Sequence, residues 1–206
     1  MKLCVFDFDS TLMDGETIDT LAAAFGKEAE VAAITHRAMT GELEFFEALV
    51  ERVNLLKGLP YPQVLEICHN LKLMPGAEET VQALKAKGYK VLVFSGGFRE
   101  ATAFYAEKLG LDGDFANFLY QKKGFLTGQV GGEMMYGDAK GQMLLRLQKL
   151  LNISPGDTVA VGDGANDLSM FAHSGKKIAF CAKPILEGKA DHLVKEKDLR
   201  LILEYL

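Results

Sequence analysis

Short apolar runs that alternate with helical patterns constrain the fold of this chain more than any other feature. The apolar runs are continuous and brief, and they lie at 3–6, 90–94, 157–162, 177–180 and 191–194. Runs of this kind are typical of strands that are covered on both faces. Helical patterns separate and follow them at about 76–88, 99–110, 138–151, 166–174 and 198–206. Strand alternating with helix predicts an α/β fold with a doubly wound parallel sheet.

A long helical stretch interrupts this alternation. Residues 15–74 contain no convincing strand, and their helical patterns lie at 17–25, 29–39 and 44–54 and around Pro62. Proline is well suited to the first turn of a helix, so a fourth helix is expected to open there. We therefore predict a helical cap subdomain at 15–74, inserted into a catalytic core that is formed by 1–14 and 75–206.

A smaller interruption lies at 117–134, where the chain reads NFLYQKKGFLTGQVGGEM. Two alternating runs are joined there by Lys-Lys-Gly, which predicts a small β-hairpin flap. The predicted architecture is a parallel core sheet to which a helical insert and a hairpin are attached.

The composition argues against several classes of protein. The chain has 206 residues, of which 49% are hydrophobic and 25% charged, as is ordinary for a globular enzyme. A formal charge of -5 and a pI near 5.4 argue against nucleic acid as a partner. No apolar run approaches the roughly 18 residues of a membrane span. The 3 cysteines are far apart in the chain, which favours a reduced, cytoplasmic protein. We expect a monomer or a homodimer.

Acidic residues follow the first apolar run directly, in KLCVFDFDSTLMDGETID. Carboxylates at the end of a buried strand cost desolvation energy and repel one another, so they need open solvent or a cation. The two-residue period of an extended chain points Asp7 and Asp9 the same way. One of them could attack a substrate while the other transfers protons. A bare pair of this kind is more often a solvated turn, but the preceding strand and Ser10-Thr11 favour the catalytic interpretation.

Two further motifs could contact an anion. Ser95 and Gly96 are predicted between the strand at 90–94 and the helix at 99–110, where a hydroxyl and backbone N–H groups can approach a phosphate closely. A plain turn would explain the same letters. Lys140 opens a predicted helix, where a cation is unfavourable against the helix dipole. It is either a solvated surface lysine or the partner of an acid.

The segment VAVGDGANDLSMF places two more acids after a buried strand. Asp163 and Asp167 could cap the helix that follows. Oxygen ligands at a strand edge also suit Mg²⁺, which prefers carboxylates, water and substrate phosphate oxygens. Asn166 could donate a hydrogen bond to a neighbouring anion or orient one of these acids.

Taken in order, the motifs DFDST, SGG, AKG and GDGAND resemble those of the haloacid dehalogenase superfamily of phosphotransferases. Within it the chain is most similar to the phosphoserine phosphatase family, through DFDSTL, ETID, FSGGF, TVAVGDGANDLSMF and KIAFCAKPIL. The resemblance implies a Rossmann-like core with a cap, and Mg²⁺ as cofactor. It also implies hydrolysis of O-phospho-L-serine to L-serine and phosphate through an aspartyl-phosphate, the last step of L-serine biosynthesis.

The resemblance assigns the catalytic and metal-binding roles residue by residue. Asp7 would be the nucleophile, and Asp9 would protonate the leaving alkoxide and later take a proton from water. The ligands of Mg²⁺ would be Asp7, the backbone carbonyl of Asp9, and Asp163. Asp167 would hold the waters of the metal and contact Lys140.

The resemblance also assigns the substrate-binding residues. Arg52 would bind the α-carboxylate of the substrate, Glu16 would bind the α-ammonium, and Met39 and Phe45 would close over it. Judged by periodicity alone, Met39 and Phe45 would be core residues and Arg52 a residue at the rim. The phosphoryl group would be contacted by Ser95, the Gly96 N–H, Lys140 and Asn166.

Two other functions compete with this interpretation. A phospho-acceptor signalling module also combines a strand-end aspartate, Mg²⁺, a hydroxyl residue and a lysine. It needs neither a substrate cap nor an acid at Asp9, which counts against it. A hydrolase of the same superfamily that acts on a sugar phosphate, on homoserine phosphate or on another small phosphomonoester is the nearer alternative.

Overall fold

A central sheet of seven strands organises the computed structural model, which describes residues 1–206. The strands are β1 (Lys2–Phe6), β2 (Tyr89–Phe98), β3 (Gly113–Lys122), β4 (Phe125–Gly132), β5 (Thr158–Gly162), β6 (Lys176–Phe180) and β7 (His192–Val194). Their order in the sheet is β4-β3-β2-β1-β5-β6-β7. Neighbouring strands are parallel except β3 and β4, which are antiparallel. The predicted doubly wound, mostly parallel sheet is confirmed.

Nine α-helices connect or cover these strands. None of them is long and apolar enough to cross a membrane. Five of the nine lie between β1 and β2 along the chain. The helices are α1 (Thr17–Ala23), α2 (Glu28–Met39), α3 (Phe45–Asn54), α4 (Tyr61–His69), α5 (Ala77–Ala86), α6 (Arg99–Leu109), α7 (Ala139–Leu151), α8 (Leu168–Phe171) and α9 (Pro184–Glu187).

Successive side chains of a strand point to opposite faces of the sheet, and here both sets are apolar. The sheet therefore presents an apolar surface on each face. Within β1, Cys4 and Phe6 belong to a large core cluster that also contains residues of α1 and α3–α6. Leu3 and Val5 belong to a second cluster, on the other face, that contains residues of α7 and α8. Burial on both faces explains why the strand sequences are continuously apolar and do not alternate.

The direction of the strand order reverses at β1, which pairs with β2 on one side and with β5 on the other. In open sheets of this type the carboxyl ends of the strands around such a reversal form a crevice in which ligands bind. The acids that follow β1, the Ser-Gly-Gly motif of β2 and the acids that follow β5 therefore meet at one edge of the sheet.

Three sequence predictions are corrected in part. Ser95 and Gly96 do not lie in a turn between strand and helix, because β2 continues to Phe98; residues 95–97 form an irregularity in its pairing with β3. The predicted helix at 166–174 is a 3-10 turn (Ala165–Asp167) followed by the short α8. The predicted helix at 198–206 is a 3-10 helix, Leu199–Tyr205.

The predicted hairpin exists, but it is part of the main sheet. Its turn is Lys123-Gly124, with φ values of 53° and 81° that favour a two-residue turn. The first strand, β3, begins at Gly113 and pairs in parallel with β2 before it reaches the hairpin. Gly, Asp and Asn are depleted in strands, so the segment GDFAN gave no strand signal.

Backbone hydrogen bonds attach the helical insert to this hairpin. The Gly58 N–H donates to the Leu126 carbonyl at 2.9 Å, and the Leu126 N–H donates to the Leu59 carbonyl at 2.8 Å. The Tyr61 N–H, at the start of α4, donates to the Gly124 carbonyl at 2.8 Å. These bonds fix the connection between α3 and α4, so the insert is held over the edge of the sheet where the acids lie.

Candidate active site

Asp7 directly follows β1 and opens a tight turn that sets the geometry of the site. Its Oδ1 accepts a hydrogen bond from the Phe8 N–H at 2.7 Å. The chain then reverses through Phe8–Leu12, where the Met13 N–H donates to the Phe8 carbonyl at 2.9 Å and Ser10 has a φ of 58°. The left-handed conformation is unfavourable for a serine, and it is held by a hydrogen bond from the Ser10 N–H to the Gly15 carbonyl at 2.8 Å.

Lys140 joins the first acid to the last in a buried network. Its Nζ lies 2.7 Å from Asp7 Oδ1 and 2.6 Å from Asp167 Oδ1, and its side chain is only 3% exposed. Burial alone would lower the pKa of Lys140, but the charges of Asp167 and Asp7 outweigh burial and raise it. The solvated-lysine interpretation is wrong, because Lys140 is a buried cation that bridges two carboxylates.

Asp167 uses both of its carboxylate oxygens for contacts within the chain. Oδ1 contacts Lys140, and Oδ2 accepts hydrogen bonds from the N–H groups of Asp163 and Gly164, each at 3.0 Å. Gly162 lies so close to this carboxylate that a Cβ there would collide with it. Asp167 therefore fixes the loop that carries Asp163.

Asp7 and Asp163 have carboxylate oxygens that could coordinate a cation. One oxygen each of Asp7, Asp163 and Asp167 lie within 4.8 Å of one another, and all three residues are buried. Oδ2 of Asp7 and both oxygens of Asp163 accept no hydrogen bond from the chain, whereas both oxygens of Asp167 have partners. Such a set of carboxylate oxygens fits Mg²⁺, with Asp7 and Asp163 as ligands. The backbone carbonyl of Asp9 as a third ligand stays a prediction.

Without a cation these acids destabilise one another. Burial first, and then the charge of Asp167, raise the pKa of Asp7 well above its ordinary value. The same two causes raise the pKa of Asp163 to about 6. Buried like charges are expected to favour protonation, and a divalent cation would reverse that preference. The acids at the end of β1 and β5 are thus arranged as a cation site would require.

Asp9 is held apart from this cluster by its own hydrogen bonds. Oδ1 accepts from the Thr17 N–H at 2.7 Å and from the Thr17 hydroxyl at 2.6 Å, and Oδ2 accepts from the Ser95 hydroxyl at 3.1 Å. Ser95 Oγ in turn accepts the Gly97 N–H at 2.8 Å. The two acids of the DxD motif therefore have different environments, as a division between attack and proton transfer requires.

A cavity of about 530 Å³ opens above these groups, between the edge of the sheet and the helical insert. Ser95, Lys140 and Asp167 lie behind the cavity wall and are buried. The other predicted site residues all line the cavity: Asp7, Asp9, Glu16, Met39, Phe45, Arg52, Gly96, Asp163 and Asn166.

The insert contributes a cation and an acid to the cavity. The Arg52 Nε–H donates to the Ala48 carbonyl at 3.1 Å, and one of its terminal nitrogens lies 3.5 Å from the Thr35 hydroxyl. The other guanidinium donors have no partner within the chain. Glu16 Oε1 accepts from the Ser10 hydroxyl at 2.8 Å. Burial, together with the charge of Asp9, raises the pKa of Glu16 to about 7.

Two apolar residues of the insert complete the wall. Met39, at the end of α2, is 71% exposed and yet faces the cavity, so the interpretation of Met39 as a core residue is wrong. Phe45 packs partly on the core and its ring lies over Gly96, where a Cβ would come within 2.8 Å of the ring edge. An apolar cover over a polar floor is the usual form of a small-molecule site.

Sequence reasoning missed three groups in the site. Thr17 holds Asp9, although it follows Glu16 directly in the ETID motif. Asp19 lines the cavity beside Arg52, which partly offsets the rise in the pKa of Asp19 that burial causes. Lys183 lines it from the CAKP segment, with its Nζ 3.7 Å from Asp163 Oδ2. Its position in a strand-end motif was the only available signal.

Comparison with known proteins identifies the family of this chain. The family model described as haloacid dehalogenase-like hydrolase matches residues 1–175. The chain belongs to the haloacid dehalogenase-like hydrolase family. The predicted resemblance and the hydrolase class are therefore confirmed.

Individual relatives within this hydrolase family are similar over their whole length. The chain is 59% identical to the phosphoserine phosphatase of Wolinella succinogenes over 206 residues, 100% of both proteins. It is 53% identical to that of Methanocaldococcus jannaschii, covering 100% of this chain and 97% of the relative. A substrate-bound phosphoserine phosphatase complex superposes with a TM-score of 0.95 at 52% identity, over 100% of this chain and 98% of the other.

Proposed function

We propose that this chain is a Mg²⁺-dependent phosphoserine phosphatase that hydrolyses O-phospho-L-serine to L-serine and phosphate through an aspartyl-phosphate. The observation that carries the proposal is the shared cavity of Asp7, Arg52 and Glu16. A nucleophile suited to phosphorus faces a cation and an anion that can bind the two charged ends of an amino acid. The names of the relatives support the same substrate.

The substrate would be oriented by its charges. The unpaired guanidinium donors of Arg52 would bind the α-carboxylate in a bidentate manner. Glu16 would accept the α-ammonium, and its ionised form would be restored by that cation. Met39 and Phe45 would cover the methylene carbon and exclude water. We propose that residues 15–74 form a cap subdomain and supply this specificity to a core of 1–14 and 75–206.

Asp7 would perform the first chemical step. One of its carboxylate oxygens would attack phosphorus while the other stays available to the cation; Oδ2 accepts no hydrogen bond, and Oδ1 contacts the Phe8 N–H and Lys140. The bond from phosphorus to the serine oxygen breaks as the new bond from phosphorus to Asp7 forms. When bound by Asp7 and Asp163, Mg²⁺ would supply Lewis-acid polarisation and offset the repulsion between Asp7 and the phosphate dianion.

Asp9 would move the proton in both steps. It would first protonate the departing serine oxygen, which is a poor leaving group as an alkoxide; positioned acid catalysis is worth roughly 10²–10⁴-fold. It would then take a proton from the water that hydrolyses the phospho-Asp7. The Ser95 hydroxyl can donate a hydrogen bond to ionised Asp9 and can accept one from protonated Asp9. We propose that Ser95, the Gly96 N–H, Lys140 and Asn166 bind the phosphoryl oxygens.

Phosphate release from a panel of phosphomonoesters tests this function. The panel contains O-phospho-L-serine, O-phospho-L-threonine, homoserine phosphate, a sugar phosphate and an aryl phosphate, each with Mg²⁺ and with a chelator. We expect phosphoserine to give the highest kcat/KM and the chelator to abolish its turnover. A higher kcat/KM for the sugar phosphate would assign the chain to a different member of the superfamily, and a single turnover would favour the signalling module.

A further inference from the structure

The charge of the cavity wall is unfavourable for the substrate. Two cationic side chains line the cavity, Arg52 and Lys183, and the other charged residues there are acids: Asp7, Asp9, Glu16, Asp19 and Asp163. Lys140 offsets them only in part, because its charge is shared between Asp7 and Asp167. A phosphomonoester dianion must therefore approach a net negative surface.

Lys183 is placed to relieve this repulsion. It follows β6 and caps the first turn of α9, and its N–H donates to the Asp163 carbonyl at 2.8 Å. The backbone is therefore fixed against the Asp163 loop. The side chain is not: it is 53% exposed, and its Nζ lies 3.7 Å from Asp163 Oδ2, an ion-pair distance without a hydrogen bond. Because a lysine side chain is flexible even where its backbone is fixed, the Lys183 ammonium can exchange one partner for another.

Asp163 makes this exchange specific. Lys183 Nζ is the one cationic group that pairs with the Asp163 carboxylate, which otherwise accepts no hydrogen bond. A divalent cation bound by Asp163 would repel Lys183 and take its place. The released ammonium would remain on the wall of the cavity, which Lys183 lines together with Asp7, and could there contact the substrate phosphate.

We propose that Lys183 is an electrostatic positioning residue that competes with the divalent cation for Asp163 and, once displaced, attracts the dianionic phosphate group. The inference rests on the proposed metal site and substrate. It predicts that loss of the Lys183 charge changes the two affinities in opposite directions. A residue that merely supported the loop would weaken both.

Binding measurements on the full chain separate these outcomes. The variants are Lys183→Met, which removes the charge, and Lys183→Arg, which keeps it. The matched control is Lys189→Met, because Lys189 is exposed, makes no ion pair and does not line the cavity. Titration calorimetry measures Mg²⁺ binding to the chelator-stripped chain, and then inorganic phosphate binding at saturating Mg²⁺. Thermal unfolding checks that each variant is folded.

We expect Lys183→Met to bind Mg²⁺ about 2- to 10-fold more tightly and phosphate about 2- to 10-fold more weakly, the range for a half-exposed ion pair. Lys183→Arg and Lys189→Met should match the parent chain in both. The phosphate difference should shrink at high salt, since exposed charges are screened. Unchanged affinities in Lys183→Met, or a loss of both, would overturn the inference while leaving the proposed function intact. A parent chain that binds no Mg²⁺ would overturn both.

Discussion

Glu16→Gln tests whether the acid of the ETID motif is as strained as its surroundings imply. Glu16 has a pKa of about 7 in the folded chain against 4.5 for the ordinary side chain. The folded state therefore holds this proton more tightly than the unfolded state. Its stabilising contribution is fully present below pH 4.5 and is lost as the pH rises through about 7. Ionised Glu16 thus destabilises the free chain at neutral pH.

The magnitude follows from the size of the shift. Because one pKa unit corresponds to 1.36 kcal/mol, the shift from 4.5 to about 7 corresponds to about 3 kcal/mol. Glutamine cannot ionise, and its amide can keep the hydrogen bond with the Ser10 hydroxyl. Glu16→Gln should therefore become more stable than the parent as the pH rises. The gap in unfolding free energy should widen by about 2 kcal/mol between pH 5 and pH 8. This value is smaller than the full amount of about 3 kcal/mol because the pH window covers only part of the titration and part of the side chain is exposed.

Urea unfolding at several pH values, in the presence of a chelator, measures this gap. The control is Glu66→Gln on α4, because Glu66 is exposed and its side chain makes no ion pair. The control should differ from the parent by the same amount at every pH. A gap for Glu16→Gln that is equally constant would refute the reasoning and show that the Glu16 carboxylate is solvated in the free chain.

The other predictions concern turnover. Arg52→Ala should raise the activation free energy derived from kcat/KM for phosphoserine by about 2–5 kcal/mol, the range for unpairing a buried charge, and should spare an aryl phosphate. Equal losses on both substrates would show that Arg52 is structural. Asp7→Asn should abolish turnover with a parental circular dichroism spectrum, and retained turnover would remove Asp7 from the nucleophile role. In Gly97→Ala the Cβ would lie 2.7 Å from Asp9 Oδ2, so kcat should fall at least roughly tenfold with little change in KM. An unchanged kcat would show that the position of Asp9 is not critical.

Much of the core could be predicted from the sequence because its pattern is local. A strand that is covered on both faces is apolar along its length, so short continuous apolar runs in the sequence predict β1, β5 and the first part of β2. Parallel strands present their carboxyl ends at one edge, and the polar motifs after them were expected to meet there. The structure places the aspartates that follow β1 and β5 at that edge, as expected.

The errors arose where tertiary contacts override local preference. Residues 113–117 have poor strand propensity, yet they form part of β3 because β2 offers an unpaired edge. Ser95 and Gly96 stay in a strand because β2 continues beyond them and pairs with β3 again at Phe98. In the sequence Lys140 looked like a surface lysine, because the two acids that pair with it are 133 and 27 residues away in the chain.

The sequence by itself determined which chemical groups are available and in which order they return to the sheet edge, since periodicity and motif order are properties of neighbouring residues. Only the tertiary structure decided how those groups are paired: Lys140 between Asp7 and Asp167, Thr17 on Asp9, and Lys183 beside Asp163. Pairing depends on distances between residues far apart in the chain, and on the burial that makes an unpaired charge costly. Neither quantity exists before the chain has folded.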